Sequence, residues 1–101
     1  MKKNNIRTQN FKYKVLFSTQ FKKDYKIVQK RHFKITKLLK IIDALANGES
    51  LPAKYRDHAL TGNWSGCREC HISPDWLLVY KKEADTLILT LTRTGTHSDI
   101  F

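Results

Sequence analysis

Between Cys67 and Arg93 the chain reads CRECHI, SPD, WLLVYKK, EAD and TLILTLTR. Three segments rich in apolar and β-branched residues follow one another, and only three residues separate each pair. A link this short joins antiparallel neighbours, because a parallel crossover needs a dozen residues or more. The three segments therefore form an antiparallel meander. In the last of them Leu87, Leu89 and Leu91 alternate with Ile88, Thr90 and Thr92, so one face is expected to be buried and the other partly exposed. A sheet with one apolar face folds only when another layer covers it.

The upstream half supplies that layer. Phe21, Tyr25, Val28 and His32 recur at helical spacing, with Lys22, Lys23, Lys26 and Lys30 mainly on the solvent side. Ile35, Leu38, Leu39, Ile42, Leu45 and Ala46 form a stronger stripe that stops at Asn47-Gly48. The break around His32 to Lys34 makes the two helices an αα-hairpin, and His32 is expected near a helix end as a favourable charge on the dipole. Ahead of them, Tyr13 to Ser18 reads as a short strand running into a cap at Ser18 or Thr19. The expected architecture is a two-layer α+β domain in the order β-α-α-β-β-β, a helical hairpin on a mainly antiparallel sheet. Residues 49–66, punctuated by Pro, Gly, Asn and Ser, are expected to be a loop, and the far face of the sheet is expected to stay open to a partner. Residues 1–10 read as a polar, basic, flexible leader and 11–101 as one domain, since a chain of 101 residues holds a single core.

An apolar fraction of 41% is enough to fold without staples, and two cysteines are too few for a secreted disulfide scaffold. Nothing approaches the roughly 20 apolar residues that span a bilayer. The expectation is a soluble, cytoplasmic protein with no membrane partner. Cys67 and Cys70 lack a second CxxC and stand three apart on a strand, which turns them to opposite faces, so they read as structural thiols.

Nineteen Lys and Arg against nine Asp and Glu leave a net charge of +10, which favours a polyanion, and nucleic acid first. Three of the four histidines, His58, His71 and His97, lie in the β half. Brought together, they suit a metal, with Asp75 as a fourth ligand, or general acid and base catalysis. No HxH or HExxH pair supports the metal, and imidazole exchanges protons near neutrality unaided. Cleavage of RNA needs that chemistry: one group takes the 2′-hydroxyl proton, another protonates the leaving 5′-oxygen, and cations stabilise the phosphorus. Lys54, Arg56, Arg68 and Arg93 are candidate cations, although each taken singly reads as a solubilising surface residue. Trp64 and Trp76 suit either base stacking or core filling, with the core favoured for Trp76 on its strand.

The stretches YRDHALTGNWSGCRECHISPDWLLVYK and RTGTHSDIF resemble the RelE superfamily of bacterial toxins, and within it the YafQ-type branch. The shared pattern is Tyr-Lys/Arg-Asp-His-x-Leu-x-Gly, then Arg-x-x-His-x-x-Pro-Asp-Trp-x-Leu-x-Tyr, then Arg-x-Gly-Thr/Ser-His-x-x-Leu/Ile-Phe, and the match runs from Phe17 onward. The resemblance implies a toxin of a type II toxin–antitoxin pair: a ribosome-dependent endoribonuclease that cuts messenger in the A site without a metal or other cofactor. It implies His58, His71, Asp75 and His97 for proton transfer and phosphate stabilisation, and Trp76 and Phe101 for positioning the nucleotide. Arg68 and Arg93 also match family positions. The implied partners are ribosomal RNA, met by the lysines of both helices including Lys34, Lys37 and Lys40, the messenger, and an acidic, partly disordered antitoxin. Cys67 and Cys70 depart from the pattern. Two rivals stand beside this reading: a non-nuclease toxin on the same fold, directed at gyrase, and a plain basic RNA-binding module.

Overall fold

In the computed structural model, residues 11–101 are described; the expected leader, residues 1–10, lies outside them. Ser18 turns the first strand, β1 (Lys14–Phe17), into the first helix, α1 (Thr19–Lys30). Its Oγ accepts a hydrogen bond from the Phe21 backbone N–H at 2.9 Å, satisfying one of the donors that a helix start leaves open. Phe21, Tyr25 and Val28 then point inward together with Asp24. After a short turn, α2 (Ile35–Ala46) buries Leu38, Ile41, Ile42, Leu45 and Ala46. Lys22, Lys23, Lys26, Lys30, Lys34, Lys37 and Lys40 are all exposed.

Among the described residues the sheet has five strands, in the order β1-β5-β4-β3-β2. The meander is β3 (Arg68–Ser73), β4 (Trp76–Glu83) and β5 (Ile88–Gly95), antiparallel as the short links require. β1 joins the free side of β5 in parallel, which the two intervening helices make possible. The core lies between the helices and the face bearing Cys70, Ile72, Trp76, Leu78, Tyr80, Leu89 and Leu91.

The pairing of β4 with β5 slips between Val79 and Tyr80, where Val79 faces Arg93 and Tyr80 faces Leu91, so Thr92 bulges. Ser18 holds this bulge, its hydroxyl donating to the Thr92 carbonyl at 2.8 Å. The bulge also aims Arg93 at Asp24.

Several expectations need correction. His32 is not the last member of the α1 stripe: it follows the helix at φ 62, the left-handed position that ends many helices. Leu87 does not face the core; it sits in the β4–β5 turn at φ 57 and is 41% exposed. Residues 49–66 are not all loop, since His58–Ala59 form β2, antiparallel to Glu69 and Arg68. After β5 comes a single helical turn, α3 (His97–Ile100), which no expectation above contradicts.

Candidate active site

Along β3 the period of two places Glu69 and His71 on the same face, away from the two long helices. β2 pairs His58 directly with Glu69. Three side chains consequently meet. The Glu69 Oε2 atom lies 3.6 Å from Nε2 of His58 and 3.4 Å from Nε2 of His71. Glu69 is only 6% exposed. A buried carboxylate needs a positive partner, and here two imidazoles stand ready to carry that charge.

The imidazoles differ. Nδ1 of His58 lies 2.7 Å from the Arg56 carbonyl, which can only accept, so Nδ1 carries the proton. In the neutral ring Nε2 is then a free base facing Glu69 and solvent. His71 is four-fifths buried, and its Nδ1 has no hydrogen-bond partner among the described residues.

A partly buried triad anchors the segment that carries His58. Asp57 accepts the Tyr80 hydroxyl at 2.7 Å and, more loosely, Nε and Nη2 of Arg68 at 3.4 and 3.5 Å. Burial, followed by the hydrogen bond to Asp57, pushes the Tyr80 hydroxyl well above its ordinary pKa of 10.0. It stays protonated and donating. Burial alone lowers the Arg68 pKa, but its hydrogen bond to Asp57 and the Asp57 charge outweigh that and leave it above its ordinary value. The chain then passes Arg56 at φ 53, a strained conformation for a residue with a side chain.

The ending forms a second cluster. Thr96 and Asp99 close a capping box, Asp99 Oδ2 accepting from Thr96 N at 2.9 Å and Thr96 Oγ1 from Asp99 N at 3.2 Å. The same Asp99 oxygen is 2.9 Å from Nη1 of Arg31 at the end of α1. The backbone hydrogen bond from Thr96, foremost, holds the Asp99 carboxyl below its ordinary pKa of 3.8. Gly95 suits this turn, because its φ of 154 is one that side-chain-bearing residues rarely adopt and a Cβ there would press on Cβ of Asp99 at 3.1 Å. The turn sets His97 against Phe101, with ring centroids 5.2 Å apart, and Phe101 edge-on to Trp64 at 5.4 Å.

Two residues anticipated at an RNA surface are elsewhere. Trp76 is 4% exposed in the core, its indole N–H donating to Thr94 Oγ1 at 2.9 Å and its ring meeting Phe33 edge-on at 5.0 Å. It shares the helix-facing side of β4 with Leu78 and Tyr80, and no face is open for a base. Arg93 is bound to the buried Asp24, with Nε to Oδ2 at 2.7 Å and Nη2 to Oδ1 at 3.3 Å. Arg68 is likewise engaged with Asp57, while Lys54 and Arg56 are exposed.

The structure brings His58 and His71 to one carboxylate oxygen, and His97 and Trp64 each to Phe101; among the described residues it makes no hydrogen bond between the two clusters. Asp75 stands exposed at the β3–β4 turn, and among the described residues it makes no hydrogen bond or ion pair. The sequence reading missed Glu69. Its signal was the Glu-x-His spacing inside CRECHI, which puts both side chains on one face of a strand. Burial raises the Cys70 thiol to about 12, with the charges of Asp57 and Glu69 adding to it, so Cys70 stays an inert thiol.

A family model described as bacterial toxin of type II toxin–antitoxin system, YafQ, matches residues 13–101. The mRNA interferase toxin YafQ of Escherichia coli K12 is 44% identical over 86 residues, 84% of this chain and 91% of that protein. The toxin in the crystal structure of the E. coli DinJ-YafQ toxin-antitoxin complex superposes with a TM-score of 0.82 at 42% identity, covering 88% of this chain and 98% of that one. A metal-bound toxin from Helicobacter pylori superposes with a TM-score of 0.80 at 41% identity, over 86% of this chain and 97% of that one. The chain therefore belongs to the YafQ family of bacterial type II toxin–antitoxin toxins.

Proposed function

We propose that the protein is an mRNA interferase: an endoribonuclease that cuts messenger in the ribosomal A site by histidine acid and base catalysis. The observation that carries this reading is the convergence of His58 and His71 on the buried Glu69. His58, its Nδ1 proton held by the Arg56 carbonyl, offers Nε2 to the 2′-hydroxyl proton; Glu69 holds the charge of the imidazolium that forms. A second acid, His71 or His97, protonates the leaving 5′-oxygen. Phe101 presents a 46% exposed ring beside His97 for the nucleotide, and Asp75 at the neighbouring turn completes the set. The E. coli relative, named an mRNA interferase, supports the reaction class.

The exposed lysines of α1, with Lys34 ahead of α2, serve as contacts to ribosomal RNA, with the salt dependence such contacts carry. An acidic antitoxin is the second partner, as the DinJ-YafQ complex of the relative suggests. The site of action is the cytoplasm; among the described residues no helix is long and apolar enough to cross a membrane. The H. pylori neighbour is metal-bound, yet among the described residues of this chain no three His, Cys, Asp or Glu side chains are placed to hold an ion. The proposed steps use none.

Induced expression in bacteria, followed by mapping of messenger 5′ ends, tests the reading. New ends within coding regions should appear with the wild type and vanish with His97→Ala and Glu69→Gln. Growth arrest by either variant without new ends would sink it. Activity lost on EDTA treatment and restored by zinc would overturn the metal-free mechanism.

A further inference from the structure

β2 is so short that it covers only Arg68 and Glu69, which leaves the edge of β3 from His71 to Ser73 open. α2 on one side and the 53–55 turn on the other wall this edge into a cavity of about 460 Å³. Its lining includes Lys37, Lys40, Lys54, Arg56 and His71 but no carboxylate. The protein pairs Arg31, Arg68 and Arg93 each with an aspartate, whereas none of these four cations has an ion-pair partner among the described residues. Four like charges around one concavity repel one another unless an anion enters. A second cavity, beside Asp57, also takes in Arg56, Arg68 and Lys82, but its lining includes Glu49 and Asp57, which offset most of that charge.

This cavity adjoins the candidate site. His71 belongs to both, and Arg56, which lines the cavity, accepts the hydrogen bond of His58 Nδ1 on its carbonyl. Lys54 lies against the Tyr55 ring, 5.2 Å from its centroid, which holds its ammonium at the cavity wall. We propose that the cavity is a subsite for a backbone phosphate of single-stranded RNA, the one next to the phosphate that is cut, and that Lys40 and Lys54 grip it. The proposal rests on the nuclease reading and adds a substrate contact to it. An acidic protein segment is the other conceivable guest, but it would not need a cavity that shares a side chain with the proton-transfer centre.

The test combines Lys40→Ala/Lys54→Ala with messengers on programmed ribosomes that carry one uncharged methylphosphonate linkage on either side of the cut. For the wild type, one of the two linkages should lower kcat/KM roughly tenfold, mainly through KM, in line with the loss of a charged contact. The double variant should show the same loss on natural messenger and no further loss on that modified one. Its slope of log affinity against log salt should fall by roughly 0.7 for each phosphate contact removed. Its urea midpoint should be unchanged or higher, since repulsion has been relieved. Losses that multiply, a variant as active as the wild type, or a variant defective only in binding the antitoxin would each overturn the subsite while leaving the nuclease reading standing. A wild type that leaves natural messenger intact would overturn that reading and the subsite with it.

Discussion

Asp24 and Arg93 form the most exposed point of the fold to a single substitution. Asp24 is 5% exposed, and four donors reach it: Nε and Nη2 of Arg93, the Thr94 backbone N–H at 3.1 Å, and Gln20 Nε2 at 3.0 Å. Asp24→Asn keeps an acceptor for Thr94 but leaves the guanidinium, with 20% of its side chain exposed, without a counter-charge. Breaking such a pair from one side costs about 3–5 kcal/mol. For a chain of this size about 3 kcal/mol lowers Tm by roughly 15 °C, a large part of a domain's total stability of about 5–15 kcal/mol. Arg93→Met should cost a similar amount, and Asp24→Asn/Arg93→Met should cost less than the two together by about 2 kcal/mol. Urea unfolding of the four proteins, followed by circular dichroism, measures the cycle. Single losses below about 1 kcal/mol, or additive ones, would refute the structural role. So would a folded Arg93→Met protein whose RNA affinity loses one phosphate's worth of salt dependence, roughly 0.7 in slope, which would return Arg93 to the RNA surface.

Four further outcomes are expected. Glu69→Gln should lower kcat about a hundredfold with little change in KM, since a carboxylate that holds imidazolium charge acts in the transition state; a rise in KM alone would assign Glu69 to binding. The Asp99 clamp stabilises the ending above the unfolded aspartate value of 3.8, and because its folded pKa is depressed the contribution disappears only as pH falls through that lower value. The Phe101–Trp64 ring contact, followed by NMR, should therefore persist from pH 7 to 5 and be lost in strong acid, and loss already at pH 5 would contradict the clamp. Asp99→Ala should leave global unfolding nearly unchanged, as the pair is partly exposed, while cleavage drops together with the Trp64–Phe101 contact; measured urea midpoints and turnover separate the two. With iodoacetamide at pH 8, half-buried Cys67 should be labelled and Cys70 should not, by mass spectrometry of the native protein.

The sequence by itself determined the elements that local chemistry dictates. Three-residue links leave the meander no choice but antiparallel pairing, and the stripe from Ile35 to Ala46 has only one apolar side to bury. Ser18, two helical turns ahead of Tyr25, announces the helix start through its hydroxyl. The pattern Tyr-Arg-Asp-His through Phe101 was enough to reach the family. What lies between elements was not legible. Trp76 reads as a core ring from its strand and as a nucleotide ring from the family pattern, and Arg93 as a phosphate contact or a structural residue, because a residue's type does not reveal which face of its strand is covered. That depended on α1 bringing Asp24 under the bulge at Thr92. Glu69 became part of a site only when β2 laid His58 across from it. The tail became a fixed clamp through Arg31, a residue 68 positions away in sequence. Periodicity and turn length act within a few residues and can be read from the chain; the pairing of charges and rings across long separations is set by how the layers pack, and only the tertiary structure decides it.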